Sequence, residues 1–427
     1  MTRKRRQPIP SAVGFGLVFL LSLVLADRVE AGTFHVTTLA DSGPGSLRQA
    51  VLDANAFPGA DTIVFSVAGT ITLTSGEILI MDDLVINGPG AAALTVSGND
   101  QSRVFNIDNA SGKNINVTLS GLTMTHGFVP GSSAGGVIRA EHANLTILSS
   151  VISNGVAGIG GGISAELAGA TTIRFSSILG NRATSVYGGG IYSEFGNNAL
   201  TIEASTIAGN SSGAEGGGIY VEENREVEIV NSTISGNTAA LYAGGISYYY
   251  GTYPGGGQID NTVSIRHTTI ANNTAGECGN LCGDYAADVD HSIIANGSPP
   301  VGNSGVHATY SLIEDNYFVI GDHNLIGVDP LLGPLADNGG PTLTHALLPG
   351  SPAIDAGNPA IPNPPPTDQR GFARIYGPAI DMGSFEAQPL EVVAVPTLSE
   401  VGTLLLSVLL LATGVWRLRM GARRATS

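Results

Sequence analysis

The chain has 427 residues, of which 59 are glycine and only 13% are charged, and its formal net charge is −16 at pH 7. Abundant glycine together with Ile, Val, Thr, Ser and Asn suits short strands joined by tight turns and is poor material for long helices. The acidic balance argues against nucleic acid and anionic lipid as partners, and it is compatible with cations. Composition therefore favours an all-β protein.

The N-terminus has the features of an export signal. A basic start, "MTRKRR", precedes an apolar run from Val13 to Leu25 and a small-residue exit, "VEA", before Gly32. This order of basic, apolar and small residues is typical of a signal peptide, which we assign to residues 1–31. The remainder of the chain is therefore expected to act outside the cytoplasm.

A short helix is predicted at the start of the exported part. In "SLRQAVLDANA", residues 46–56, Ser46 and Gln49 have capping-box spacing, and Leu47, Val51 and Ala54 fall on one helical face. A β-solenoid needs its open apolar ends covered. We expect residues 32–65 to form an N-terminal strand and a capping helix.

A repeat occupies the middle of the chain. Segments such as "SILGN", "TIAGN" and "TISGN" recur at spacings of 23 to 36 residues, and "NLTILSS", "TTIRFSS" and "LTIEAST" alternate apolar and polar residues. The recurring asparagines are Asn154, Asn181, Asn210, Asn237, Asn273 and Asn296. Period-two strands at a fixed spacing favour stacked coils over a sandwich, since a single unit cannot bury its own apolar face. We predict a parallel β-helix, right-handed, over residues 66–328.

Two kinds of residue are assigned to the corners of the coils. The asparagines are expected to tolerate left-handed backbone geometry and to hydrogen-bond along the stack as a ladder. Double glycines are expected to supply positive φ angles at another corner. These glycines are Gly135, Gly161, Gly189, Gly217 and Gly244.

An acidic column follows the double glycines, as in "GGGIYSE". Its members are Glu141, Glu166, Glu194 and Glu222. Adjacent coils lie about 4.8 Å apart, so the carboxylates would stack. Three interpretations are open: solvated surface acids, which we favour; a calcium site of all four; or a catalytic or glycan-binding groove, with Glu166, Glu194 and Glu222 as candidate catalytic carboxylates.

Other motifs give weaker signals. Two Gly-x-Ser-x-Gly matches surround Ser133 and Ser211, but a nucleophile elbow requires a strand, a turn and a helix, so chance matches are expected. The histidines lack metal-ligand spacing and are assigned to the surface or to corners, and the basic residues that could partner the acids are isolated. These residues are His126, His142, His267 and His345, and Arg139, Arg174 and Arg182.

Cysteines and tyrosines occur in two local clusters. Cys278 and Cys282, the only cysteines, could form a local disulfide outside the cytoplasm. "ISYYYGTYPGGG" predicts a long turn with a tyrosine cluster, which either offers a platform for sugars or protein partners or, as we favour, packs on its own coil. Its tyrosines are Tyr248, Tyr249, Tyr250 and Tyr253.

The region after the repeats divides into residues 329–388 and 389–427. The first part carries acids beside Gly, Asn or Pro, which we expect to cap turns rather than bind calcium: Asp329, Asp337, Asp355, Asp368 and Asp381. In the second, the apolar run 401–416 precedes "RLRMGARR". This pattern predicts a transmembrane helix with its basic tail in the cytoplasm.

Three stretches resemble known families. Residues 33–65, "TFHVTTLADSGPGSLRQAVLDANAFPGADTIVF", resemble the opening of exported bacterial proteins with pectate-lyase-like right-handed β-helices. Residues 323–386, from "HNLIGVDP" to "DMGSFE", are similar to the choice-of-anchor Q domain. "VPTLSE" with the apolar run and arginine cluster resembles an IPTL-type C-terminal sorting signal, whose box here is Pro396, Thr397, Leu398, Ser399 and Glu400.

These resemblances imply a Gram-negative host and processing by an exosortase-type enzyme, but no defined reaction. The polygalacturonase-type signatures Gly-His-Gly and Arg-Ile-Lys do not occur. We therefore expect a surface-sorted, non-enzymatic β-helix in adhesion, glycan contact or envelope structure, with no cofactor unless calcium binds. The alternative is a polysaccharide lyase or glycoside hydrolase that uses carboxylates on one face.

Overall fold

The computed structural model describes residues 31–167, 169–194, 199–223, 226–249, 262–299, 301–388 and 408–412. Within these ranges the chain is mostly β and forms a parallel β-solenoid of about nine turns. The predicted all-β class and β-helix architecture are confirmed. The handedness of the coil stays a prediction.

Four parallel sheets, named A to D and with strands numbered in chain order, make the sides of the solenoid. Sheet A has 12 strands: β1 (Thr33–Val36), β2 (Asp61–Phe65), β5 (Leu84–Asn87), β8 (Ile115–Ser120), β11 (Ala143–Leu148), β15 (Ala170–Arg174), β19 (Ala199–Glu203), β23 (Glu226–Val230), β27 (Thr262–Arg266), β30 (Ala287–Asp290), β32 (Val301–Thr309) and β34 (Asn316–Ile320). Sheet B has 11: β3 (Gly69–Thr72), β6 (Leu94–Ser97), β9 (Thr123–Thr125), β12 (Val151–Ser153), β16 (Ser177–Leu179), β20 (Thr206–Ala208), β24 (Thr233–Ser235), β28 (Thr269–Ala271), β31 (Ile293–Ala295), β33 (Leu312–Ile313) and β35 (Leu325–Ile326).

The other two sheets are shorter. Sheet C has 8 strands: β4 (Ile78–Ile80), β7 (Phe105–Ile107), β10 (Ile138–Glu141), β14 (Ile163–Glu166), β18 (Ile191–Glu194), β22 (Ile219–Glu222), β26 (Ile246–Tyr249) and β29 (Leu281–Gly283). Sheet D has 4: β13 (Val156–Ala157), β17 (Arg182–Ala183), β21 (Ser211–Ser212) and β25 (Thr238–Ala239). An antiparallel hairpin follows the solenoid, with strands β36 (Leu332–Ala336) and β37 (Thr344–Leu347).

Most turns of the coil pass through sheets C, A and B in that order, and four of them add a strand of sheet D, as β10 to β13 do before β14 begins the next turn. Successive turns pair in parallel and in register, so equivalent side chains form columns. In sheet A one inward column is fully buried and is isoleucine in five successive turns: Ile147, Ile173, Ile202, Ile229 and Ile265. Burial of these branched side chains at about 2 kcal/mol each drives the stacking of turns.

Helix α1 (Leu47–Ala56) covers the N-terminal end of the solenoid, where it packs on β1, β2 and β4. Its buried face includes the predicted Leu47, Val51 and Ala54. Ser46 is the N-cap, and its side chain accepts a hydrogen bond from the backbone N–H of Gln49 at 3.1 Å. The other half of the predicted capping box is missing, because the Gln49 side chain donates to Asp53 instead.

A buried asparagine ladder follows sheet B. In each rung the side-chain Oδ1 accepts from the backbone N–H of the preceding rung, as Asn237 does from Asn210 at 2.9 Å, and Nδ2 donates to the next side chain, as Asn237 does to Asn273 at 2.9 Å. The rungs are Asn181, Asn210, Asn237, Asn273 and Asn280, and Asp315 ends the series. The predicted ladder is confirmed for Asn181, Asn210, Asn237 and Asn273.

Asn154 and Asn296 do not belong to this ladder, so their predicted place in it was wrong. Asn154 has a φ of +54° and Asn296 of +54°, and each precedes the ladder position by one residue. Gly155 is the residue whose N–H donates to Asn181. Left-handed geometry and ladder bonding, which we had expected of one residue, are therefore divided between two adjacent columns.

The glycine corner before sheet C shows a similar offset. Gly135 has the predicted positive φ, +71°, but in the following turns the left-handed residue is one position earlier than predicted, as at Gly188 and Gly216. The next glycine is needed for a different reason. A Cβ on Gly217 would lie 2.3 Å from the Thr238 carbonyl oxygen, so only glycine allows the turns to approach this closely.

Residues 329–388, the closing segment, lie along the outer face of sheet B. Thr206 Oγ1 donates to the Leu343 carbonyl at 2.6 Å, and the backbone N–H of Ser384 donates to Thr269 Oγ1 at 3.0 Å. Near β31 and β33 the contact becomes apolar, with Met382 and Phe385 against Leu312. The segment therefore covers one side of several turns.

Both ends of the chain fall mainly outside the described residues. Most of the predicted signal peptide, the sorting box Pro396–Glu400 and most of the apolar run 401–416 are among them. Residues 408–412 are helical. Within the described part of the chain, no helix has the length and apolar character needed to cross a membrane.

Candidate functional site

The predicted glutamate column exists on the outer face of sheet C. Glu141, Glu166, Glu194 and Glu222 are register partners in β10, β14, β18 and β22, and Tyr249 continues the column in β26. All four glutamates are half-buried. The four glutamates are therefore acids of an outer face that are only partly solvated.

Each carboxylate in the column has a distinct means of limiting repulsion from its neighbours. Glu141 forms an ion pair with Arg139. Glu166 Oε1 accepts from Ser164 Oγ at 2.6 Å, and Glu222 Oε2 accepts from the Tyr220 hydroxyl at 2.6 Å. Burial, followed by the charges of Glu222 and Glu166, raises the pKa of Glu194 to about 8, so this carboxyl is largely protonated at neutral pH.

Tyrosine rings pack beside the column. The ring centroids of Tyr187 and Tyr220 lie 4.3 Å apart, and those of Tyr192 and Tyr220 lie 5.7 Å apart, both in stacked geometry. Tyr220 also contacts Tyr249 at 5.8 Å. Stacked rings hold one another rigidly, so the acids project from a fixed aromatic base.

A groove of about 470 Å³, the sheet C groove, lies at the corner between sheets D and C. Its charged lining consists of Arg103, Arg139, Glu166 and Glu194. Tyr192, Ile159 and the loop residues 132–134 complete it. The structure thus brings two of the three candidate carboxylates into one concavity, and leaves Glu222 outside it.

Sequence reasoning missed Arg103 and Glu77. Arg103 Nε donates to the Gly135 carbonyl at 2.7 Å and Nη2 to the Ala134 carbonyl at 2.8 Å, and Nη1 forms an ion pair with Glu77. Both residues belong to early turns that lack the double glycine and the glutamate, so the repeat gave no reason to align them. A short "Arg-Val-Phe" before a strand was the only local signal.

The calcium interpretation is not supported by the geometry. No three His, Cys, Asp or Glu side chains in the described ranges are grouped so as to hold a metal ion. The partners described above explain how the stacked acids are tolerated. An arginine, a serine hydroxyl, a tyrosine hydroxyl and a bound proton each reduce the electrostatic repulsion on one glutamate of the column.

Neither Gly-x-Ser-x-Gly match has the context of a nucleophile elbow. Ser133 lies in a loop that lines the sheet C groove, and Ser211 begins strand β21. In the described structure, neither serine lies between a strand and a helix. Both matches are therefore consistent with the predicted chance occurrence.

The other predicted residues are dispersed. His126, His142 and His267 have φ angles of about +50° and occupy corners as expected, but His267 and His345 are buried rather than on the surface. Arg174 pairs with Glu203 on sheet A, and Arg182 is exposed in β17. Of the three predicted arginines, only Arg139 reaches the groove.

The tyrosine cluster is only partly described. Tyr248 and Tyr249 lie in strand β26 rather than in a long turn, and Tyr248 is fully buried in the core. Tyr250 and Tyr253 fall outside the described residues. Alternation in the strand explains the correction, because it directs Tyr248 inward and Tyr249 outward.

Cys278 and Cys282 are buried together beside Ala243. The disulfide between them stays a prediction. Cys278 has a φ of +53° and occupies the left-handed corner position that Gly216 fills in an earlier turn. Cys282 lies in β29, in register with Ser247.

Three of the five acids of the closing segment that we expected to cap turns do so: Asp329, Asp337 and Asp368. Asp329 accepts from the Leu331 N–H at 2.8 Å and Asp337 from the Gly339 N–H at 3.0 Å. Asp368 accepts from three backbone N–H groups and also forms a buried ion pair with Arg370 at 2.6 Å. Asp381 accepts from the Asp355 N–H at 2.7 Å.

No protein-family model and no curated protein matches the chain. Among solved structures it is similar to ORF18 of Geobacillus virus E2, at 12% identity and a TM-score of 0.34, over 69% of this chain and 60% of that one. It is also similar to the A-modules of the mannuronan C-5 epimerases AlgE4 and AlgE6 of Azotobacter vinelandii, both at 14% identity over 69% of this chain, with TM-scores of 0.32 and 0.30 and coverage of 98% and 100% of those chains. These are distant similarities of the β-helical fold. The resemblances to an anchor domain and a sorting signal stay predictions.

Proposed function

We propose that this chain is an exported protein of a Gram-negative cell envelope that binds a polysaccharide in the sheet C groove without cleaving it. The observation that carries the proposal is the groove itself, where two arginines and two carboxyl groups line one concavity beside a rigid tyrosine stack. A right-handed coil is part of the proposal, because crossovers between parallel strands are nearly always right-handed.

The lining of the groove suits sugar hydroxyls. A hydroxyl both donates and accepts hydrogen bonds, and the groove offers guanidinium donors on Arg103 and Arg139 and carboxylate acceptors on Glu166. Protonated Glu194 supplies a further donor below a pH of about 8. The apolar Ile159 and the aromatic Tyr192 offer surface to the C–H faces of a sugar ring.

The same contacts favour binding over catalysis. Arg103 is held by Glu77 and two carbonyl groups, and Arg139 is held by Glu141. Because both guanidinium groups are already paired, neither is free to move toward charge that develops during a reaction. Charged side chains that are already fixed before binding lose little conformational entropy when a ligand binds, and their positions make the binding specific.

Polysaccharide binding is tested with the purified full chain on a panel of bacterial and plant polysaccharides. We expect the protein to bind at least one polymer. Glu166→Gln should lower the affinity about tenfold, because a sugar hydroxyl bound in the groove loses a charged acceptor. Glu203→Gln on sheet A is the matched control and should bind normally. Wild-type protein that binds none of the polymers would refute the proposal.

A second candidate is cleavage of the bound polysaccharide, favoured by one observation. Glu194 has a pKa of about 8 next to Glu166 in the same groove, and a protonated acid beside a second carboxyl group is the pairing that glycoside hydrolysis requires. Soluble fragments released by the wild type, with or without calcium, and lost in Glu194→Gln would replace the non-enzymatic proposal with this one.

The location of the protein is proposed from the sequence resemblances alone. We expect an exosortase-type enzyme to process the chain near Pro396–Glu400 after export, with a membrane-anchored precursor. Fractionation of the native host should place the mature protein at the cell surface. Deletion of residues 396–400 should retain it in the membrane fraction, and unchanged surface delivery after this deletion would contradict a sorting role for the box.

A further inference from the structure

A second cleft lies on the opposite side of the coil from the sheet C groove. It holds about 660 Å³ at the corner between sheets A and B, where residues 358–366 of the closing segment pass over β27, β30 and β32. This volume is within the range of about 300–1,000 Å³ that is common for small-molecule sites. None of the motifs that point to the sheet C groove contributes to it.

The floor of this cleft is formed by two imidazoles, each of which accepts a hydrogen bond on one ring nitrogen. His267 Nδ1 accepts from Arg374 Nη2 at 3.2 Å, and burial together with the charge of Arg374 lowers the pKa of His267 to about 2. His291 Nε2 accepts from the Asn358 backbone N–H at 3.0 Å, so the ring proton is on Nδ1, which lies 2.8 Å from Asp290 Oδ1. The rings are 5.0 Å apart between centroids.

One wall of the cleft carries a matched pair of charges. Arg266 and Asp290 are register partners at the ends of β27 and β30. Nη2 of Arg266 forms an ion pair with Glu228, and the other N–H groups of the guanidinium can donate to a ligand. Asp290 Oδ1 accepts from Thr309 Oγ1 at 2.9 Å and lies 2.8 Å from His291 Nδ1, and Oδ2 is the oxygen that could accept from a ligand.

The opposite wall is apolar and shaped by prolines. Ile361, Pro364 and Pro365 are half-buried and line the cleft from the closing segment. Asn363 lies at the rim in left-handed conformation, with a φ of +52°, and its side chain is exposed. Proline backbones have fixed φ angles, so this wall needs little ordering when a ligand enters.

We propose that this cleft binds a neutral sugar ring. Adjacent hydroxyls of a sugar donate to Asp290 and accept from Arg266 at the same time, while the C–H face of the ring packs on Ile361 and the two prolines. An anionic ligand would be repelled by Asp290 and a cationic ligand by Arg266, and the imidazole floor offers no countercharge to either, so a neutral ligand is favoured. A purely apolar ligand would leave both charges desolvated without partners.

The site is tested by calorimetric titration of the full chain with neutral cello-, malto-, manno- and galacto-oligosaccharides. At least one is expected to bind, and Arg266→Gln should weaken its affinity about tenfold, as expected for a lost charged hydrogen bond. Arg174→Gln is the matched control. Arg174 has the same side-chain exposure of 45% and the same pairing with a glutamate, but it lies outside the cleft.

A second variant guards against misfolding of the first. Asn363→Gly keeps the left-handed backbone and removes only the rim amide, and we expect a loss of affinity of about threefold with unchanged melting temperature. Glu166→Gln in the sheet C groove should leave this binding unchanged, which separates the two sites. The inference is overturned if no neutral oligosaccharide binds, if Arg266→Gln and Asn363→Gly bind normally, or if Arg174→Gln or Glu166→Gln loses binding equally.

Discussion

The outer faces of sheets B and C are built from the same repeats but have opposite surroundings. On sheet B the outward column of Thr206, Thr233 and Thr269 is buried beneath the closing segment. On sheet C the outward column of glutamates stays half-exposed and borders an open groove. The short threonine hydroxyls of sheet B form hydrogen bonds with the segment that covers them. The long glutamates and tyrosines of sheet C contact one another instead, and their face stays open.

This difference shows that the repeat determines the column in which a side chain lies but not the residues that surround that column. Thr233 Oγ1 lies 2.6 Å from Gln369 Oε1 and 2.9 Å from Ser384 Oγ, so its contacts depend on residues more than 130 positions away. Glu194 interacts with glutamates of the turns on either side, which the repeat itself supplies. Variants that remove a contact on one face should therefore act differently from those on the other.

The largest effect is expected at Arg374, which fixes the closing segment. This side chain is fully buried, donates to His267 and lies near the negative charges of Glu386, Asp368 and Asp381. Arg374→Met should lower the free energy of unfolding by about 3–5 kcal/mol, because Asp381 and Glu386 lose a buried positive charge that favours their ionised forms and the carbonyl groups of Asp381 and Gly383 lose a charged donor. Urea unfolding monitored by circular dichroism measures the change.

The exposed Arg182 of β17 provides the control for this measurement. Arg182→Met should change the free energy of unfolding by less than about 0.5 kcal/mol. Equal effects at the two arginines would show that the closing segment does not depend on a buried charge.

A smaller effect is expected at Gln369, which joins the closing segment to sheet B. Its Nε2 donates to Thr206 Oγ1 at 3.0 Å and to the Leu343 carbonyl at 3.0 Å, and Oε1 faces Thr233. Gln369→Ala should cost about 1–3 kcal/mol, because buried hydroxyl and carbonyl groups lose their partners. The exposed Gln101→Ala serves as the control, and a neutral Gln369→Ala in the same urea titration would contradict burial of this face.

The smallest effect, and one of opposite sign, is expected at Glu194 on the open face. Its folded pKa of about 8 exceeds the ordinary 4.5, so the folded state binds the proton more tightly than the unfolded state. Stability from this group is therefore complete below about pH 4.5 and falls as the pH rises through 8. Glu194→Gln should flatten this part of the pH dependence and stabilise the protein at pH 9.

Melting temperatures at pH 4, 7 and 9 decide this prediction, with Glu203→Gln on sheet A as the matched control. The wild type and Glu194→Gln should melt alike at pH 4 and diverge as the pH rises. Parallel melting curves for the two proteins at all three pH values would mean that the column does not hold a proton.

Local patterns predicted the solenoid well. Alternation in "LTIEAST" placed Ile202 inward and Thr201 outward in β19, because a strand permits only that choice. The register of Glu166 with Glu194 also followed, since equal spacing from a glycine corner fixes the position within the coil. The short capping helix was readable from its own residues.

Other features depended on information that is not local. Asn154 and Asn181 end nearly identical motifs, yet Asn154 is the first residue after its strand and Asn181 the second, so they lie in adjacent columns. Arg103 reaches the groove from a turn without the repeat motif, and Arg374 meets His267 from 107 positions away. Such contacts arise from how turns stack and how the closing segment folds back, which no short window contains.

The end of the asparagine ladder has a consequence for assembly. Every rung from Asn181 to Asn280 accepts from the turn before and donates to the side chain of the next rung, so the bonds between side chains run in one direction. Asp315 accepts from Asn280 at 2.6 Å and from the Gly297 N–H at 3.1 Å, and its carboxyl group has no N–H to offer a further rung. Assembly of the final turn onto the solenoid therefore depends on the strand pairing of β34 and β35 and not on another rung of this ladder.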